Sequence, residues 1–265
     1  GLTSVNFGEN SSIKTIGESA FSGNEISTLK LPDSITEIGN YTFNSNQISN
    51  LTIPNSVMNI GENAFSSNRI TDLTLPSNLV SIGNYAFENN QISSLMLPES
   101  ITQISDYAFQ NNQISVLSIP SSLTTIGSQA FSSNQISNLT IPKTVTSLGS
   151  YAFNNNPITS LSIGKCSTET CQYNSFGYSI IDLTVESGEI GGYAFNSDSD
   201  STTKLEKLTL GDEVTAVGEN AFSSNQISSL TLPKSITQIN DYAFQNNKIS
   251  VLSIPSSLTT IGSQA

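Results

Sequence analysis

Two cysteines and a scatter of acids are the residues here from which chemistry could be built. Cys166 and Cys171 stand in CSTETC, and four intervening residues allow either a small local disulfide or a pair of buried thiols. The spacing is not C-x-x-C, so redox catalysis does not fit. A zinc site needs further ligands, and the chain has no histidine and no second cysteine pair. The absence of histidine also excludes nucleophile-histidine catalysis, and neither G-x-x-x-x-G-K-[ST] nor G-x-S-x-G occurs. Asp198 and Asp200 in NSDSDS could offer calcium a weak site, but the glycine and distal glutamate of an EF-hand loop are missing, which favours a solvated acidic loop. Carboxylates are plentiful enough for glycoside hydrolysis, yet no acidic pair recurs in an identifiable cleft. The expectation is therefore a non-enzyme with no metal and no cofactor.

Composition narrows the partners. Of 265 residues 11% are charged and 36% hydrophobic, and nine basic against 21 acidic residues give a net charge of -12. Nucleic acid and anionic membranes both need clustered Lys or Arg, so neither is an expected partner. No apolar run approaches the ~20 residues of a membrane helix. The chain opens on Gly1, which predicts a piece of a longer protein, so the lack of a visible leader peptide says nothing of export.

Aligning the chain with itself shows what must position any site. Leu29, Leu51, Leu73, Leu95, Leu117, Leu139, Leu161 and Leu183 follow at a step of 22 residues, and Leu208, Leu230 and Leu252 resume it. Phe21, Phe43, Phe65, Phe87, Phe109, Phe131 and Phe153, then Phe222 and Phe244, keep the same time, each followed three residues later by Asn. In LTIP at 51 to 54, Leu51 and Ile53 face one side and Thr52 the other, as in a short strand ended by proline. A second apolar pair follows at Val57 and Ile60. Then comes GENAF, where Gly61 permits a sharp turn and Ala64 with Phe65 predict one helical turn.

A 22-residue coil buries about six apolar side chains, on the order of 10 kcal/mol, against at least ~20 kcal/mol of ordering entropy. One coil cannot fold alone, and stacked neighbours must complete its core. The fold class is thus a repeat solenoid: an arc with a parallel sheet on its inner face, short second β segments and helical turns elsewhere. The recurring asparagines read as an internal ladder that satisfies turn backbone groups.

The chain reads as a single repeat domain over 1–265, with regular repeats at 1–162, irregular ones at 163–207 and regular ones at 208–265. In the irregular stretch Gly164 replaces the usual Pro, Phe176 comes one residue late and Phe195 comes early relative to Leu183. Such insertions often carry binding surface, although drift or recombination explains them as well. Residues 95–130 and 230–265 match at an offset of 135 with four differences: Met96/Thr231, Glu99/Lys234, Ser105/Asn240 and Gln113/Lys248. That match predicts Phe as the residue after Ala265 and further repeats or another domain beyond it.

The stretch ISNLTIPNSVMNIGENAFSSN at 48 to 68 resembles the BspA-type leucine-rich repeats of bacterial surface proteins, and the resemblance covers almost the whole chain. The family's frequent Cys ahead of the next apolar residue is Asn in most repeats here. The resemblance implies export, a cell-surface or secreted location, and adhesion to host matrix proteins, host cells or other microbes. Export in turn favours the Cys166–Cys171 disulfide.

An adhesive reading places the site on the outward positions of the inner strands: Lys30, Asn50, Thr52, Asp72, Thr74, Met96, Ser118, Asn138, Thr140 and Ser162. They form a shallow, mostly neutral surface suited to an extracellular protein or glycan held by weak repeated contacts. Small polar residues also simply suit an exposed strand. Two other readings compete: a spacer that presents another domain, and, less favoured, binding of ice or crystalline polysaccharide by the Thr and Ser ranks, which Lys30 and Met96 interrupt.

Overall fold

The computed structural model describes residues 1–167, 170–171, 175–177, 179–197 and 203–265. They form two compact units, Gly1–Ile136 with Tyr151–Asn156, and Ser137–Ser150 with Pro157–Ala265, each with its own core. In both, coils of about 22 residues lie side by side and every strand pairing is parallel.

In the first unit the predicted strands are only two or three residues long. Thr28–Leu29 pairs with Ser4–Val5, Asn50–Thr52 with Asp72–Thr74, and Ser94–Met96 with Val116–Ser118. The alternation is the expected one, with Leu51, Ile53, Leu95 and Leu97 buried while Asn50, Thr52, Ser94 and Met96 stand outside. A second ladder joins Thr15–Ile16, Glu37–Ile38, Asn59–Ile60 and Ser81–Ile82 in register, and Gln103–Ile104 pairs with Thr125–Ile126. Between the ladders the phenylalanines stack. From Phe21 to Phe153 the ring centroids step by 5.3 to 5.6 Å with planes within 9° of parallel. Each such pair adds about 0.5–1.5 kcal/mol beyond its buried area.

In the second unit Asn138–Ile141, Ser160–Ile163, Asp182–Ile190 and Lys207–Val217 form one parallel sheet. The last strand continues into the second ladder, where Ala216 and Val217 pair with Gln238–Ile239 and these with Thr260–Ile261. The broken rhythm of the sequence has a local cause. Pairing between Asp182–Ile190 and Lys207–Val217 slips at Val185/Ser187 and again at Gly188/Glu189. Each slip admits one extra residue on the later strand. That is why Phe195 comes two residues earlier after Leu183 than Phe222 does after Leu208. The Phe195 and Phe222 rings nevertheless stack at 5.7 Å.

The predicted helical turns are absent: among the described residues no helix occurs. Most G-x-x-[AT]-F corners instead carry two left-handed residues four apart, such as Tyr41 (φ 56°) and Ser45 (φ 55°), or Asn63 (φ 54°) and Ser67 (φ 57°). A left-handed residue breaks the run of i to i−4 bonds that a helix needs. The backbone donors then point at the neighbouring coil: the N–H groups of Tyr41, Phe43 and Ser45 donate to the carbonyls of Glu62, Ala64 and Ser66 at 2.8 to 2.9 Å. Gly61 has no positive φ, so its role differs from the one expected. A Cβ there would lie 2.6 Å from the Gly39 carbonyl carbon, so the glycine lets adjacent coils touch.

Asparagine side chains join the coils on the inside. Asn68 donates from Nδ2 to the carbonyls of Phe43 (2.9 Å) and Phe65 (3.1 Å), while its Oδ1 accepts from the Ile48 N–H (3.1 Å). Asn46, Asn90, Asn112, Asn134 and Asn156 repeat the pattern in the first unit, and Asn225 and Asn247 in the second.

Candidate binding face

The short strands are fixed by Leu and Ile anchors on the core side, which leaves the intervening side chains on one solvent-facing surface. In the first unit Asn50 lies opposite Asp72, Thr52 opposite Thr74, and Met96 opposite Ser118. In the second, Asn138, Ser160, Asp182 and Lys207 form one cross-strand rank, and Thr140, Ser162, Thr184 and Thr209 a second. Neighbouring members of a rank are about 4.8 Å apart. Of the ten residues predicted from sequence, all are exposed except Ser162, which is half-buried. The structure thus brings Asn138, Thr140 and Ser162 into one parallel sheet, places Asn50, Thr52, Asp72, Thr74, Met96 and Ser118 on strands of the first unit, and puts Lys30 just past the end of Thr28–Leu29.

Two features escaped the sequence reading. Lys207 Nζ donates to Asp182 Oδ2 at 2.7 Å across adjacent strands. Asp182 and Lys207 stand just ahead of the successive anchors Leu183 and Leu208, but the sequence does not show that their side chains meet. The second feature is a corner row of tyrosines two residues ahead of the phenylalanines. The hydroxyls of Tyr41 and Tyr193 donate to Glu62 (3.2 Å) and Glu219 (3.1 Å), and hydrogen bonding to these carboxylates raises both phenol pKa values. Tyr85 and Tyr107 stack at 4.5 Å, and burial raises the Tyr85 pKa. The signal was the recurring Tyr at 41, 85, 107, 151, 193 and 242.

Among the described residues no group of three or more His, Cys, Asp or Glu could hold a metal ion. Asp198 and Asp200 lie outside the described residues. Cys166 and Cys171 are joined as a disulfide with Cα atoms 5.4 Å apart, both nearly inaccessible. The bridged loop is also tied into the irregular sheet, since the Cys166 N–H donates to the Ser187 carbonyl (2.9 Å) and the Glu189 N–H to the Cys166 carbonyl (3.2 Å). Among the described residues no helix is long and apolar enough to cross a membrane.

Parallel coils of 22 residues, a Leu/Ile core, an asparagine ladder and an open strand face define a leucine-rich repeat solenoid. The model of the BspA-type leucine-rich repeat region matches in six copies over residues 1–115, 102–202 and 188–265, and the chain belongs to that family. Among solved structures it is similar to a leucine-rich repeat protein from Bacteroides ovatus (22% identity, TM-score 0.57), over 94% of this chain and 78% of that one. It is also similar to the pneumococcal vaccine antigen PcpA (22% identity, TM-score 0.50), over 95% of this chain and 71% of that one. No curated protein matches the chain.

Proposed function

We propose that the chain is a non-catalytic binding module of an exported protein, secreted or held at the cell surface, and that its exposed strand faces adhere to an extracellular protein or glycan. Host matrix proteins, host cells and other microbes are the partner classes consistent with its family. The observation that carries this reading is the pair of cross-strand ranks, Asn138–Ser160–Asp182–Lys207 and Thr140–Ser162–Thr184–Thr209, exposed at their outer members and half-buried at Ser160, Asp182, Ser162 and Thr184. The facing backbone groups of these strands are paired with one another, while the side chains lie on the side away from the core and offer small polar groups and one ion pair. Regularly spaced groups of that kind favour many weak contacts along a ligand over one deep pocket. The buried Cys166–Cys171 disulfide supports an oxidising compartment.

The test is solid-phase binding of the chain to fibronectin, fibrinogen, collagen, laminin, mucin and whole epithelial cells in physiological salt. Saturable binding that is lost in Thr140→Lys and Thr52→Lys, with circular dichroism unchanged, is the expected result. No binding by the folded chain, or binding untouched by both substitutions, overturns the reading and moves weight to a spacer.

A further inference from the structure

The outward positions of the strand faces are mostly small and polar, with a local exception. Met96 is 77% exposed and Val116 60% exposed, on the adjacent paired strands Ser94–Met96 and Val116–Ser118. Met96 lies opposite Ser118 and Val116 opposite Ser94, so the two apolar side chains are diagonal neighbours, within reach of one another. They form an apolar island whose thioether and isopropyl groups have no protein to cover them. Methionine at such a place adapts to partners of varied shape.

Two exposed carboxylates lie on the island's own coil and on the coil before it. Glu99 follows Met96 by three residues and accepts from Ser121 Oγ at 3.5 Å, on the coil that carries Val116. Asp72, on the coil before, accepts from Thr71 Oγ1 at 3.2 Å. Both acids are exposed, and neither is ion-paired among the described residues. The cations of the first unit, Lys14, Lys30 and Arg69, form no ion pair with either acid. In a chain of net charge -12 the unpaired acids favour a cationic visitor. No aromatic ring stands on the strands of the island to stack against a sugar.

We propose that Met96 and Val116, with Asp72 and Glu99, form the anchoring point for a polypeptide segment that inserts an aliphatic or aromatic side chain flanked by Lys or Arg. This rests on the strand-face reading above and names the partner's chemistry for one part of that face. The apolar contact supplies residence and the carboxylates supply approach and orientation.

The chain contains its own control. Residues 230–265 repeat residues 95–130, but Thr231 replaces Met96 and Lys234 replaces Glu99. Leu230 and Leu232 are buried there as Leu95 and Leu97 are, so the coil accepts Thr and Lys at these positions. The variant M96T/E99K therefore tests the surface with little risk to folding. The probe is an immobilised synthetic decapeptide with a central Leu-Phe flanked by two Lys on each side, compared with the same peptide carrying Glu for Lys and with a neutral oligosaccharide. The whole chain is expected to bind the lysine peptide, more weakly as salt rises, and to ignore the other two. M96T/E99K should bind the lysine peptide at least about tenfold more weakly.

Equal binding of the lysine peptide by wild type and M96T/E99K overturns the island. So does preference for the acidic peptide or the oligosaccharide. If the chain ignores the lysine peptide yet binds matrix proteins in a manner sensitive to Thr52→Lys, the island falls and the strand-face reading stands. If neither peptide nor matrix protein binds, both fall.

Discussion

Asn112 offers a quantitative test of what holds the coils together. Its Oδ1 accepts from the Ile92 N–H at 3.1 Å, and its Nδ2 donates to the carbonyls of Phe87 (2.9 Å), Phe109 (3.1 Å) and Gln110 (3.3 Å). Removal of the amide in Asn112→Ala does not orphan every partner. Phe87 keeps the donor from Asn90, Phe109 the one from Asn134, and Gln110 the N–H of Asn89. The Ile92 N–H, in a fully buried residue, is left with nothing. An orphaned buried amide costs about 1–3 kcal/mol, and the thinner carbonyl contacts with a small void bring the expected loss to about 3 kcal/mol. Asn112→Asp separates the two halves of the argument. A carboxylate can still accept from Ile92 but sets negative charge against three carbonyl oxygens, so it should be worse than alanine at neutral pH. Protonation restores a donor, which means the folded state holds this carboxyl's pKa above its unfolded value. The deficit of the aspartate variant should therefore shrink as pH falls and grow as pH rises. Urea unfolding followed by circular dichroism reads the losses, and hydrogen exchange at the Ile92 amide reads the orphan directly. An alanine variant within about 0.5 kcal/mol of wild type, or an aspartate variant with no pH dependence, would refute the ladder as a source of stability.

Other outcomes follow from single residues. Gly188 has φ +96°, and a Cβ there would run into the Cys166 carbonyl oxygen, so Gly188→Ala should cost about 3 kcal/mol or more in thermal or urea unfolding. Replacement of Cys166 and Cys171 by serine opens a loop with a sequence separation of five and should lower stability by about 2 kcal/mol, read against the wild type in reductant and in oxidant. Burial raises the Glu88 pKa, with hydrogen bonds to Ser66 and Asn89 opposing it. The folded state thus prefers Glu88 protonated, a preference that is full below the unfolded pKa and lost as pH rises through the folded one. Glu88→Gln should accordingly unfold at higher urea than wild type at neutral pH and lose that advantage in acid.

The parts of the fold that were legible in the sequence are those that one coil repeats to the next. Leu51, Ile53, Phe65 and Asn68 each meet the same environment in neighbouring coils, so the 22-residue step alone assigns strand, core and ladder. The corners were misread because local preference points the wrong way. Ala64 and Phe65 suit a helix, and a bulky residue such as Tyr41 is a poor candidate for left-handed backbone. Bonds from Tyr41, Phe43 and Ser45 to the next coil override that preference, and no single repeat read alone reveals a partner 21 residues away. The strands Asp182–Ile190 and Lys207–Val217 were seen as irregularity and not as long strands, because two slips of register break the spacing on which the reading depends. The ten face positions were legible from alternation, whereas the Asp182–Lys207 pair required knowing which strands meet.

Corner donors that bond forward to the next coil have a consequence for how such a gene can change length. Each coil depends on what immediately precedes and follows it, and the regular coils present matching carbonyls to their neighbours and, except at Ser105 and Asn240, a glycine. Excision or insertion of a whole multiple of the period rejoins two surfaces that already fit, whereas a cut of half a period opposes a corner to a strand. Unequal crossing-over between similar coding stretches therefore yields folded products far more often than it would in a closed globular domain. The near-copies 95–130 and 230–265 lie six coils apart, one of those coils three residues longer, as that kind of exchange would leave them. A chain deleted of residues 84–105 should fold, and one deleted of residues 84–94 should not. Repeat number is then a variable that a population can alter in one step, with reach along a ligand changing while the chemistry of each coil stays the same.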